Sequence, residues 1–125
     1  MKKVDRLIKQ IELNEVDGAI IMMPENIKYY SGFTGEEGII MVHPFVQYLI
    51  VKDEYVEQAK HQSPNYKIVN ANNKDALSFL NIVFKELGIH TIWFEEDYIK
   101  PWEYESLKNN LEQVKLIPKN GNTLI

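Results

Sequence analysis

Val4, Leu7, Ile8 and Ile11 recur at the three- and four-residue spacing of one helical face, which predicts an amphipathic helix ending near Asn14. Asp17-Gly18 then punctuates the chain. Ala19 to Met23 is apolar without alternation, the pattern of a strand covered on both faces, and Pro24 is expected to stop it. Asn26 reads as the N-cap of a short helical turn from Ile27 to Tyr30, closed by Ser31-Gly32. After a loop spaced by Gly32, Gly35 and Gly38, Ile39 to Val42 and Val46 to Val51 form a hairpin around His43-Pro44-Phe45. Tyr55, Val56 and Ala59 suit a short helix ending before Ser63-Pro64, and Tyr66 to Val69 suits a strand. Asn72 or Asn73 caps the strongest helical stripe, Leu77, Leu80, Phe84 and Leu87, with Gly88 just past its end. Thr91 to Glu95 reads as a strand, Pro101 opens a helix through Leu107 and Leu111, and Val114 to Ile117 makes a last strand.

This alternation, α-β-α-β-β-α-β-α-β-α-β, predicts an α/β fold of three layers, α/β/α, in which one hairpin makes a mostly parallel sheet mixed. At 125 residues, 45% of them apolar and 11% aromatic, the chain has the length and the material for one domain with one sheet. The apolar runs Ala19 to Met23 and Leu49 to Val51 are far shorter than the roughly 20 residues of a membrane span, and Met1-Lys2-Lys3 does not lead into a signal-peptide core. The absence of cysteine removes disulfides, thiolate metal sites and a Cys nucleophile, and suits a cytoplasmic location. A net charge of −4, with Arg6 as the lone arginine and Lys2-Lys3 as the longest basic run, argues against nucleic acid as a partner.

Candidate chemistry is sparse. His43, His61 and His90 have no metal-ligand spacing, and each has a plainer reading: a hairpin turn, a helix C-terminus and a position after a C-cap glycine. Glu95-Glu96-Asp97 ends a strand where open α/β sheets place ligands, and three carboxylates there could hold Mg²⁺. Adjacent residues point different ways, however, so solvated charge with helix capping before Pro101 is the preferred reading, and Glu36-Glu37 is read likewise. Ser31, Ser63, Ser78 and Ser106 lie in no nucleophile elbow and have no His nearby in sequence. Gly32-x-x-Gly35-x-x-Gly38 lacks the spacing and the following helix of a phosphate loop, and Tyr29-Tyr30 with Phe33 suits a core or an interface better than base stacking.

The segment Asn26-Ile-Lys-Tyr29-Tyr30-Ser31-Gly32-Phe33-Thr34-Gly35 resembles the Asn-x-x-Tyr…Gly-Phe-x-Gly signature in the amino-terminal domain of Xaa-Pro aminopeptidases and prolidases, the creatinase-related metallopeptidases. Tyr55-Val-Glu57-Gln58-Ala59, Ile92-Trp-Phe-Glu95-Glu96 and Tyr104-Glu-Ser-Leu107 resemble later family segments in the right order. One segment departs: the family commonly reads Asp-x-Arg-Tyr where this chain has Lys52-Asp53-Glu54-Tyr55, with charge reversed at two positions. The resemblance implies that residues 1–125 are a ribonuclease-H-like, non-catalytic domain without a metal of its own. It implies a catalytic domain after residue 125, with two divalent ions (Mn, Co or Zn) that activate water against the bond before proline. Thr123-Leu124-Ile125, an apolar start after the turn signal Asn120-Gly121-Asn122, also suggests a piece of a longer protein.

The implied partners are that catalytic domain, further copies of the chain in a homodimer or larger assembly, and proline-containing peptides. The Phe33-Thr34-Gly35-Glu36-Glu37 loop is expected to border the active-site entrance, its glycines letting the backbone turn and its glutamates forming an acidic rim. Two other readings stand beside this one: a free-standing binding module of the same fold, and a ribonuclease-H-like nuclease, which would need dispersed carboxylates converging on Mg²⁺.

Overall fold

Val4, Leu7 and Ile11 lie buried along one side of helix α1 (Lys3–Leu13), the stripe that the sequence spacing predicts. The computed structural model describes residues 3–99, 101–111 and 114–119; the terminal turn and apolar segment discussed above lie outside them. Strand β1 (Gly18–Ile21) follows, then α2 (Pro24–Ser31), the hairpin β2 (Ile39–His43) and β3 (Val46–Val51), and a 3₁₀ turn (Asp53–Tyr55) that runs into α3 (Val56–Gln62). The second half contains β4 (Lys67–Asn70), α4 (Asn73–Leu87), β5 (Thr91–Glu95), α5 (Pro101–Asn110) and β6 (Lys115–Lys119).

The six strands form one sheet in the order β4-β3-β2-β1-β5-β6. Its pairs β1–β5, β5–β6 and β3–β4 are parallel, and β2 runs against both of its neighbours. The carboxyl ends of β1, β3, β4, β5 and β6 therefore share one edge, where open α/β sheets hold their ligands.

Alternation along the strands divides the core between two faces. Ala19, Ile21, Ile40, Val42, Leu49 and Val51 face α1, α2 and α3, whereas Ile20, Met41, Ile50 and Ile92 face α4 and α5. Register enforces this division, since Ile20 sits opposite Met41 and Ile40 opposite Leu49. Each of these buried Val, Leu, Ile and Met side chains contributes about 1.5–3 kcal/mol, so the three predicted layers are held by both faces of the central strands.

Helix starts correct one expectation. Asn72 caps α4 by accepting a hydrogen bond from the Asp75 amide at 2.9 Å, as the sequence allows. Asn26, by contrast, is not a cap: α2 begins two residues earlier, with Met23 at the N-cap and Pro24 in the first turn. Proline lacks the amide hydrogen that a first-turn residue leaves unpaired anyway, and its fixed φ suits that position. Pro24 thus opens a helix as well as following a strand, and Asn26 is carried inside the first turn with its side chain buried.

Candidate functional site

At the carboxyl edge, β5 delivers Glu95 into the interior, where it is 1% exposed. Its Oε1 accepts from the amides of Met22 (2.5 Å) and Met23 (2.8 Å), and its Oε2 accepts from Asn26 Nδ2 at 2.6 Å. One carboxylate therefore joins the ends of β1 and β5 to the start of α2, whose positive end favours an anion. Burial pushes the Glu95 carboxyl above its ordinary value; the two amides and Asn26 oppose that shift, and the nearby Asp97 adds to it. The expectation of solvated charge holds for the exposed Glu96 and Asp97 and fails for Glu95, which is buried and serves α2. Strand alternation is the reason: Ile92 and Phe94 share one parity, and Trp93 and Glu95 point to the opposite face, where α2 lies.

Residues of the family-like segment are placed by α2 and α3 together. Gly32 ends α2 with φ 81°, a left-handed conformation in which glycine is unstrained, and its amide returns to the Lys28 carbonyl. Tyr29 packs edge-on against Tyr30 at 5.0 Å, with the Lys3 ammonium 4.4 Å from the Tyr29 ring. Tyr30 offers its carbonyl to the Tyr66 hydroxyl at 3.1 Å, and burial raises both phenols above their ordinary value. Phe33 is 1% exposed and meets Tyr55 edge-on at 6.0 Å. Gly35 lies beneath the Phe33 ring so closely that an added Cβ would sit 2.1 Å from the ring's Cζ.

The neighbouring Thr34 is exposed but tethered. Its amide donates to Gln62 Oε1 at 3.0 Å, and its hydroxyl accepts from Gln62 Nε2 (2.9 Å) and Gln58 Nε2 (3.2 Å). The Ser63 hydroxyl donates to the Ser31 carbonyl at 2.8 Å, adding a further tie between α2 and α3. Sequence reasoning missed the Gln58–Gln62 clasp, although two glutamines four residues apart on one short helix were its signal.

Beyond this anchor the chain carries Glu36 and Glu37 outward, both exposed. Lys52, at the end of β3, meets Glu37 at 2.6 Å, and that hydrogen bond, followed by the charge of Glu37, raises the lysine's pKa. Partial burial and then Glu36, Glu54 and Glu37 push the Tyr55 phenol up. The reversed charge at Lys52 thus has a partner within the same edge. A cavity of about 260 Å³ opens beside this pair, reaching Met22, Ile50, Leu77 and Leu107.

The histidines do not converge. His43 is nearly buried at the hairpin and accepts from the Phe45 amide at 3.1 Å; burial lowers its pKa, with Asp17 opposing. His61 and His90 are exposed, in the last turn of α3 and just after α4. Among the described residues no three His, Asp or Glu side chains are grouped to hold a metal ion. The acidic triplet does not fit a divalent centre, since Glu95 is committed to the Met22 and Met23 amides and to Asn26. No described helix is long and apolar enough to cross a membrane.

Fold and edge together define a three-layer α/β/α domain that presents an anchored acidic loop at the carboxyl ends of its strands. The model of the creatinase/prolidase N-terminal domain matches residues 3–123, and the chain belongs to that family. Over 98% of its length it superposes on 34% of the Xaa-Pro dipeptidase from Bacillus anthracis, with TM-score 0.88 and 28% identity. Over 97% of its length it superposes on 96% of the crystallised N-terminal domain of cytoplasmic peptidase PepQ from Mycobacterium tuberculosis H37Rv, with TM-score 0.85 and 24% identity. In sequence it is 26% identical over 103 residues to an uncharacterized peptidase, YqhT, of Bacillus subtilis (strain 168), matching 82% of this chain and 29% of that protein. The chain thus spans about a third of the length of the full-size relatives.

Proposed function

We propose that this domain is the non-catalytic part of a metal-dependent Xaa-Pro peptidase, a proline dipeptidase or aminopeptidase of the cytoplasm, and that it aids subunit assembly and restricts substrate access. The hydrolytic chemistry, with its paired divalent ions, belongs in this reading to a catalytic domain beyond these residues. In a homodimer or larger assembly the acidic loop would face an active-site mouth and meet proline-containing peptides.

The observation that carries this reading is the construction of the loop. Phe33 is sunk in the core and Thr34 is clasped by Gln58 and Gln62, yet Glu36 and Glu37 stand in solvent two and three residues further on. A rigid base with a charged tip suits positioning and filtering better than it suits a passive connection. Carboxylates at such a tip attract a peptide's ammonium terminus and act chiefly on approach and discrimination.

The test is the paired substitution Glu36→Gln and Glu37→Gln in the full-length enzyme, with kcat/KM measured on a short and a longer proline-containing peptide. The ratio of the two values should shift by about three- to tenfold, as expected of rim charges, while thermal stability stays within about 1 kcal/mol of the parent. An unchanged ratio in a folded enzyme would reduce the loop to a connector.

A further inference from the structure

The half-open cavity at the carboxyl edge has a volume of about 260 Å³ between Ile39, Ile50 and Leu77, with Glu36, Glu37, Lys52 and Tyr98 around it. That exceeds the roughly 150 Å³ of an apolar cavity able to take up benzene and falls short of the roughly 300–1,000 Å³ of drug-sized pockets. The space therefore suits one compact apolar group of about five to eight carbon atoms.

The charges decide what such a group should carry. Two features favour an anion: Lys52, and the first turn of α4, which reaches the cavity through Ala76 and Leu77. Both are already answered within the fold. Lys52 is held 2.6 Å from Glu37, and the start of α4 has the Asn72 cap on the Asp75 amide and the Asp75 carboxylate in its first turn. Glu36 forms no ion pair among the described residues, and Tyr98 adds an aromatic ring that attracts cations. The balance at the mouth is negative over an apolar floor.

We propose that this cavity is a binding site for small organic amines, with the hydrocarbon body against Ile39, Ile50 and Leu77 and the ammonium beside Glu36 and Tyr98. Such a site lies wholly within this chain and needs no catalytic domain, so it stands or falls separately from the access role above. The related Mycobacterium tuberculosis domain was crystallised without the rest of its protein, and the 125-residue chain is the proper object for the test.

Methyl NMR of that chain at pH 7, titrated separately with isopentylamine, isopentanol and isovalerate, reads the proposal directly. Isopentylamine should shift the Ile39, Ile50 and Leu77 methyls saturably, isopentanol more weakly and isovalerate weakest. Glu36→Gln, a change at an exposed position, should weaken the amine about threefold, and added salt should weaken the amine while sparing the alcohol. The Val4 and Leu7 methyls, on the other face of the sheet, report that the fold is intact. Failure of the amine to saturate below about 10 mM, isovalerate binding as tightly as the amine, or an amine affinity indifferent to Glu36→Gln would each overturn the assignment.

Discussion

Replacing Glu95 with alanine is expected to lower the unfolding free energy by about 3–4 kcal/mol, because it strands buried donors at the junction of three elements. The Met22 and Met23 amides would lose the Glu95 acceptor where little water reaches, and Asn26 Nδ2 would lose its carboxylate and keep the weaker contact to the Met23 sulfur at 3.6 Å. Glu95→Gln should cost less, since one oxygen can still serve the amides and Asn26 can turn its own oxygen toward the new amide. The pair also sets the sign of a pH dependence. Burial raises the folded-state pKa of Glu95 above its ordinary 4.5, so the folded chain takes up the proton more readily than the unfolded chain does. The stability contributed by this group must then rise as pH falls through the window from the raised value down to 4.5. Urea unfolding of the parent and of Glu95→Gln at pH 7 and pH 5 should show the difference moving in the parent's favour at pH 5. Movement the other way would mean that the three hydrogen bonds outweigh burial.

A second large effect is expected where the loop enters the core. Phe33→Ala should destabilise by about 3–5 kcal/mol, as loss of a buried aromatic generally does. Gly35→Ala should cost about 1–3 kcal/mol by overpacking, since its Cβ would fall 2.1 Å from the Phe33 ring. The informative variant is the double one. With the ring gone, Gly35→Ala should be almost free, giving a coupling of about 1–3 kcal/mol between the two positions. Additive losses in thermal or urea unfolding would show that the glycine serves some purpose other than making room for the ring.

These two positions also show how far the sequence was legible. Periodicity placed α1, the β2–β3 hairpin, α4 and β5, because each is an unbroken run whose spacing alone selects helix or strand. The division of the core between the two faces of the sheet came only with the structure, because runs such as Ala19 to Met23 are apolar without alternation. Asn26 and Glu95 were misread because each is a polar residue at the end of an element, where local rules suggest a cap or a solvated charge. Their true partner is each other, 69 positions apart, and no local pattern reports such a pairing. Phe33 was legible as an apolar anchor, whereas the clasp of Thr34 by Gln58 and Gln62 required α3 to lie beside the loop. The Lys52–Glu37 pair was hidden in the same way: the reversed charge was visible in sequence and its answer at Glu37 was not.

The most direct measurement of an accessory role is the release of the residue preceding proline from a short and a longer Xaa-Pro peptide by three proteins: the full-length enzyme, the same enzyme lacking residues 3–123, and the 125-residue chain alone. The full-length enzyme should hydrolyse both peptides with a marked preference, the truncated enzyme should lose most of that preference, and the chain alone should cleave neither peptide. Cleavage of either peptide by the isolated chain, or an unaltered preference in a folded truncated enzyme, would contradict the role assigned to this domain.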